Sequence, residues 1–245
     1  MGKQVAIKWL EEVESTQDVL QKGISRYDNL SVVAARSQTA GRGQRGNSWL
    51  ARKGENLTFS VLLKFGVGGF PPFPASEQFR ISEAVSSGVC DYLSSKGIDS
   101  RIKWPNDIYV RNKKICGMLI ENSLKGSDIA TSIVGIGLNV NQREFPPQLV
   151  NPTSMSQVTG EVYDLELELE LLARFLFPDG EIKDSESSYR ERLYRFGEFH
   201  QYTDCLEGTV FEGRIVGVSP QGLLEVETRK GELKKFAFKE ISYII

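Results

Sequence analysis

Between residues 101 and 141 the chain sets down four short runs, "RIKW", "DIYVR", "KICGMLIEN" and "IATSIVGIGLNVN", split by "PND", "RNK" and "LKGSD". The runs are rich in apolar and β-branched residues, and the breaks hold the Pro, Asn, Asp and Gly that turn a chain sharply. Breaks this short join only antiparallel neighbours, since a parallel pair needs a crossover of about a dozen residues or more. Consecutive hairpins and a mostly antiparallel sheet are therefore expected. The stretch holding Ile7, Trp9 and Leu10, then "LSVVAARS" and the alternating "NLTFSVLLKF", add further strands, while "GVGGFPPFPAS" is loop by composition.

Helices flank this sheet. "STQDVLQKGI" opens with Ser15 or Thr16 as cap and closes near Gly23. "SEQFRISEAVSSGVCDYLSSKG" carries Phe79, Val85, Val89, Tyr92 and Leu93 at helical spacing, with Ser76 placed to cap it and Gly97 to end it. "DLELELELLARFLF" sets two signals against each other: strict alternation is a strand period, whereas Leu, Glu and Ala are strong helix formers. The apolar block continuing through Leu171, Leu172, Phe175 and Leu176 favours a helix, whose acids read as a solvated face. From Cys205 the texture changes to short strands, "GTVFEGRIVGVS", "GLLEVETR" and "LKKFAFKEISYI", turned by "SPQG" and "RKGE". The expected architecture is α+β. A mixed, mostly antiparallel sheet with flanking helices occupies residues 1–200, and a small β-barrel follows over 201–245.

A chain of 245 residues can bury a substantial core. Its 30 Lys and Arg nearly balance 32 Asp and Glu, so nothing pulls it toward nucleic acid or an anionic membrane. No run approaches the ~20 apolar residues of a membrane span, and the opening "MGKQVAIKWLEE" lacks the apolar stretch of a signal peptide. Cys90, Cys116 and Cys205 show no metal or redox spacing and read as reduced thiols. A soluble, cytoplasmic protein is expected. His200 is the one histidine and lies outside every motif, so histidine-based nucleophilic catalysis has no support.

Residues 40–49 read "AGRGQRGNSW", and Gly41, Gly43 and Gly46 match the glycine fingerprint of dinucleotide-binding folds. That fingerprint must open a helix and be followed about 20 residues later by an acid for the ribose. Here the next element is another strand, and "VLLKF" stands where the acid belongs. The dinucleotide reading fails on both counts, and no Gly-Lys-Ser/Thr makes it a P-loop. Two readings of this strand–loop–strand element stand side by side: a solvated loop, or a cradle in which backbone N–H groups and the Arg42 and Arg45 guanidinium forks hold carboxylate or phosphate. "KWPND" at 103–107 is a turn by composition, framed by Lys103 and Asp107, and "GIGLNVN" at 135–141 puts Gly135 and Gly137 inside a strand, where a bulge or a ligand meets the backbone.

"STQ", "SQTAGRGQRGNSW", "KWPND", "KKICGMLIE" and "GIGLN", in this order, resemble the biotin protein ligases, also called biotin–[acetyl-CoA-carboxylase] ligases. The resemblance spans residues 7–141 and tips the glycine loop toward the cradle. It implies a class II synthetase-like catalytic fold with an SH3-like C-terminal domain. It also implies two steps: biotin and Mg·ATP give biotinyl-5′-AMP and pyrophosphate, and a lysine of a biotin carboxyl carrier domain then takes the biotinyl group. By resemblance Ser15, Thr16, Gln17 and Gln38 line the biotin pocket, with Gly41, Arg42, Gly43 and Gln44 folding over biotin and the acyl phosphate. Lys114 neutralises charge at the reacting junction, Lys103 is a second cation near the phosphates, and Asp107 orients the amine or assists the metal, whose ligands stay unassigned. Gly135 and Gly137 allow close approach to the ligand, and Arg45, Asn47, Trp49 and Asn139 form the nucleotide side.

Gln44 and Asn47 stand where one well-known version of the loop has arginines. The chain also enters the catalytic motifs without the N-terminal helix-turn-helix of bifunctional members, so a monofunctional enzyme without DNA binding is expected. The resemblance leaves monomer or homodimer open. Lipoate ligases run the same adenylation chemistry but carry an "RRxSGGG" loop and a following His-Asp, which this chain lacks. A non-catalytic nucleotide- or partner-binding module is the rival from another class.

Overall fold

The computed structural model describes residues 6–244, with the side chains of Arg45 and Asp179 outside that description. The strands are β1 (Ile7–Val13), β2 (Val32–Gln38), β3 (Leu57–Lys64), β4 (Phe73–Pro74), β5 (Arg101–Lys103), β6 (Asp107–Val110), β7 (Lys113–Lys125) and β8 (Asp128–Leu138), then β9 (Phe199–Asp204), β10 (Thr209–Val218), β11 (Leu224–Thr228), β12 (Leu233–Phe236) and β13 (Ile241–Tyr243). The helices are α1 (Thr16–Lys22), α2 (Phe79–Ser95), α3 (Met155–Thr159), α4 (Leu165–Leu176) and α5 (Glu186–Glu191). The first eight strands form one sheet in the order β1-β2-β3-β8-β7-β6-β5, with β4 beside β8. Only β1 and β2 run parallel among these described pairs; β5 to β8 are successive hairpins, as their short turns require.

The sheet has two differently covered faces. On one, Val32, Ala34, Phe59, Val61, Val134 and Ile136 pack against α2 and α4 in the main core. On the other, Val33, Leu62 and Ile133 meet Leu20 of α1 in a small separate cluster. Burying Leu20 contributes roughly 1.5–3 kcal/mol, enough to seat a helix of under two turns. Strand alternation places these two sets on opposite faces.

Residue types account for most helix ends, with two corrections. Gly97 (φ 71°) ends α2, its N–H on the Ser94 carbonyl and the Ile98 N–H on that of Leu93, a Schellman closure. Ser76 does not cap α2: it lies in a 3₁₀ turn, Ala75–Glu77, and the helix starts beyond it. The Leu/Glu alternation at 164–170 folds as α4, capped by the Asp164 carboxylate on the Glu166 and Leu167 N–H groups. A helical face cannot preserve period two, so Leu167 is 64% exposed while Glu168 turns inward at 8%. Its carboxylate takes the Tyr92 hydroxyl and the Lys96 ammonium, both at 2.7 Å. The acids of α4 are therefore not all a solvated face.

The C-terminal strands form a second, wholly antiparallel sheet, β12-β11-β10-β9-β13, of the SH3-like kind. It begins before Cys205, with β9, whose polar "FHQYTD" lacks a clear apolar alternation. His200 lies in β9 against Gly213, 3.2 Å from Glu198. The segment before this sheet pairs with β5, through Ile102 N–H to Arg192 and Tyr194 N–H to Ile102. No described helix is long and apolar enough to cross a membrane.

Glu83 of α2 is buried, and its desolvation, reinforced by the charges of Glu186 and Asp184, pushes its carboxyl from 4.5 up to about 7. The folded state therefore holds this proton more tightly than the unfolded chain. Stability from this group is full below about pH 4.5 and is lost as pH rises toward 7. Urea midpoints across that window should fall more steeply for the parent than for Glu83→Gln; parallel profiles would show that Glu83 is not a source of the slope.

Candidate functional site

Three registers across β3, β8 and β7 explain why a cleft forms where it does. Leu62, Ile133 and Glu121 define the first row, two of them beneath α1; Ser60, Gly135 and Leu119 the second; Thr58, Gly137 and Gly117 the third, continued on β6 by Asp107 and on β5 by Lys103. Directly paired residues share a sheet face, so the apolar surface under α1 gives way along the strands to hydroxyls and glycines. The result is a floor with little on it.

Other groups lie down on that floor. The Gln17 side chain crosses Gly135, where an added Cβ would meet its Cδ at 2.9 Å, and its amide donates to the Leu119 carbonyl at 3.1 Å. A Cβ at Gly137 would fall 2.5 Å from Trp49 Nε1 and closer to the adjoining ring carbon. Trp49 is held there by the loop from residue 39 to 56: its N–H bonds to the Gly41 carbonyl at 2.9 Å, Gly43 N–H to Asn47 at 2.7 Å, and Arg42 bridges to Ser48. The glycine loop is thus a narrow ribbon folded over the sheet, with a short 3₁₀ turn, Gln44–Gly46, at its tip.

The cleft between ribbon and floor encloses about 730 Å³ including its open mouth. One end is polar: Thr16 N–H donates to Gln38 Oε1 at 2.8 Å, Thr16 Oγ1 shares a hydrogen bond with Ser60 at 2.8 Å, and Ser15 and Gln17 stand beside them. At the other end Lys114 Nζ lies 2.7 Å from Asp107 Oδ1 and 5.6 Å from the Trp49 ring centroid. A bulge between Ile108 and Tyr109 shifts the β6–β7 register. It lets Lys114 share the cleft with Gly117 although the two are an odd number of residues apart. Arg42 closes the mouth, forked onto Glu121 at 2.9 and 3.1 Å and bonded to Asp18 at 2.9 Å.

Ser15, Thr16, Gln17, Gln38, Arg42, Gly43, Gln44, Asn47, Trp49, Asp107, Lys114, Gly135 and Gly137 thus line one cleft, with Gly41 in the ribbon above it. Two expected site residues are not brought there. Lys103 is drawn away under the second sheet, its ammonium 4.8 Å from the Tyr243 ring centroid and 5.0 Å from that of Tyr109, and burial lowers its pKa. Asn139 is buried behind the floor and donates its amide to the Thr153 carbonyl at 2.9 Å, so it does not face the cavity. The Arg45 side chain lies outside the described residues. Sequence reading missed Ser60, Asn106 and Phe238 as lining residues, and Asp18 and Glu121 as partners of Arg42. Strand register from Gly135 would have found Ser60; nothing local marks Phe238.

Chemically, the cleft joins a polar, hydroxyl- and amide-lined end to an end carrying Lys114, with Arg42 at its mouth and an indole as its wall. Among the described residues no three His, Cys, Asp or Glu side chains are grouped to hold a metal. A model of the Biotin/lipoate A/B protein ligase family matches residues 9–139. The bifunctional ligase/repressor BirA of Bacillus spizizenii is 30% identical, over 84% of this chain and 64% of its own length. The biotin–[acetyl-CoA-carboxylase] ligase of Paracoccus denitrificans is 33% identical over 58% of this chain and 59% of its own. The chain thus spans a little under two thirds of these curated relatives. Among solved structures, the biotin protein ligase of Aquifex aeolicus in complex with biotin and ATP superposes with a TM-score of 0.75 and 28% identity, covering 97% of each chain.

The floor itself is open to test. Gly137→Ala should lift the indole of Trp49 off β8, seen as red-shifted fluorescence in a Trp9→Phe background. Unchanged emission would show that the indole does not rest on Gly137.

Proposed function

The chain belongs to the Biotin/lipoate A/B protein ligase family, and on that premise we propose that it activates biotin with ATP and transfers the biotinyl group to a lysine of a biotin carboxyl carrier domain. The observation that carries this reading is the placement of Lys114 and Arg42 in the same cleft as the Ser15, Thr16, Gln17 and Gln38 cluster. The ureido ring of biotin has N–H donors and a carbonyl acceptor that match hydroxyls and carboxamides. A dithiolane ring offers neither, which sets lipoate aside.

With the ring at the polar end, the valeryl carboxylate runs toward Lys114. A carboxylate oxygen attacks the α-phosphorus of ATP, the bond to the bridging oxygen breaks, and pyrophosphate leaves. Bringing two anions together is the electrostatic difficulty, and Lys114 and Arg42 offset it. The gain is larger in a cleft that excludes water than in bulk solvent. Trp49 and Asn47 flank the nucleotide. Magnesium enters with ATP as part of the substrate; such ions are held mainly by phosphate oxygens, water and one or two carboxylates, and Asp107 is a carboxylate beside the reacting end. In the second step the carrier's lysine amine adds to the acyl carbon and AMP departs. The use of ATP and of a carboxylase carrier supports a cytoplasmic site for the reaction.

Mass spectrometry of a carrier domain incubated with the protein, biotin and Mg·ATP should show one biotinyl group added on one lysine. Lipoyl transfer in place of biotinyl transfer, or no biotin-dependent pyrophosphate release, would overturn the reading. Lys114→Ala should slow single-turnover adenylate formation by about 10²–10³-fold with an unchanged melting temperature. A near-parent rate would remove Lys114 from the chemistry.

A further inference from the structure

A second cleft, about 1320 Å³ and open to solvent, lies between α2, β7 and the C-terminal sheet. It shares Gln44, Asn106, Met118, Leu119 and Phe238 with the reaction cleft, so these residues form the partition between the two spaces. Four of them belong to the catalytic part: Leu119 to the floor, Met118 to the opposite face of β7, Gln44 to the ribbon, and Asn106 to the turn, tied by its amide to the Met118 carbonyl at 2.5 Å. Phe238 is the one contributed by the C-terminal domain, from the segment between β12 and β13.

Phe238 is held firmly. Its ring meets Trp104 edge to face at 6.5 Å, and Trp104 is 5% exposed, its indole N–H donating to the Gly222 carbonyl at 3.0 Å. Gly222 sits in a turn at φ 83°, so close to α2 that a Cβ would lie 2.7 Å from the Phe79 ring. The Lys103 ammonium over Tyr243 fixes the same domain to β5, next to the turn that carries Trp104 and Asn106. The "KWPND" turn is thereby clamped to the C-terminal sheet, and Phe238 lines the same cleft as Asp107 and Lys114.

Resting on the ligase reading, we infer that Phe238 is a water-excluding wall of the reaction cleft, through which the C-terminal domain protects the acyl adenylate. The mixed anhydride is vulnerable to a simple loss: water adds to the acyl carbon, the carbon–oxygen bond to phosphate breaks, and biotin carboxylate and AMP are released. A partition that keeps bulk water from the acyl carbon suppresses that side reaction. Removing the ring joins the reaction cleft to the open interdomain space.

The test isolates the enzyme–adenylate complex of the full chain and follows its decay without carrier. Per molecule of bound adenylate, Phe238→Ala should hydrolyse it several-fold faster than the parent, whereas Phe238→Leu, which keeps the bulk, should decay like the parent. Melting temperatures check that both variants are folded. Equal decay in Phe238→Ala and parent overturns the proposal, as does adenylate leaving intact and appearing free in the filtrate. A parent protein that forms no adenylate would overturn the ligase reading beneath it, a failure distinct from that of the wall.

Discussion

The site depends on a constraint that is the lack of something: β7 and β8 carry no side chains at 117, 135 and 137 on the face where α1 ends. Adding one carbon at Gly137 would occupy the Trp49 indole, and one at Gly135 would displace Gln17. Because the floor is bare, the ribbon from residue 39 to 56 lies close enough to the sheet to make a cleft rather than a solvated loop. That closeness puts Arg42 over β7 and lays Trp49 against Gly117 and Gly137. The glycines of the ribbon answer the glycines of the floor, and neither set forms the cavity alone.

Within the cleft both cations already have carboxylate partners, and the two pairs differ in strength. Arg42 is 38% exposed and its partners are similarly wet, so its pairs with Asp18 and Glu121 contribute about 0–1 kcal/mol and exchange readily for an arriving anion. Lys114 and Asp107 are more sheltered, so their attraction is less screened and Lys114 is held in a defined place. An easily released guanidinium at the mouth and a fixed ammonium at the reacting end suit capture followed by positioning. Holding Lys114 in advance means that no reorganisation is needed when charge develops.

Strands and hairpins were legible because period two and turn chemistry are local signals, and the runs from 101 to 141 became β5 to β8 as they read. α4 was legible only by weighing propensity against period, and the inward turn of Glu168 was not, since its partners Tyr92 and Lys96 come from another helix. β9 escaped because "FHQYTD" is recruited by pairing with β10 rather than by its own pattern. The cleft residues were legible as motifs, yet Lys103 and Asn139 show the limit of motif reading. Both lie within four residues of a cleft-lining residue, but Lys103, on the outer strand of its row, ends under the C-terminal sheet, and Asn139, beyond the end of β8, is spent on the Thr153 carbonyl. Phe238 could not be read at all: its place is a property of how the two sheets meet.

On the proposed reading, one cleft brings a carboxylate and a nucleotide together against Lys114, with Trp49 and the ribbon closing over them. A crystal structure of the protein with biotinyl-5′-AMP tests it most directly. The ureido ring should lie among Thr16, Gln17 and Gln38, and the acyl phosphate within hydrogen-bond distance of Lys114 Nζ. An adenylate seated in the second cleft, between α2, β7 and the C-terminal sheet, or one whose acyl phosphate lies away from Lys114 while that residue stays on Asp107, would contradict it.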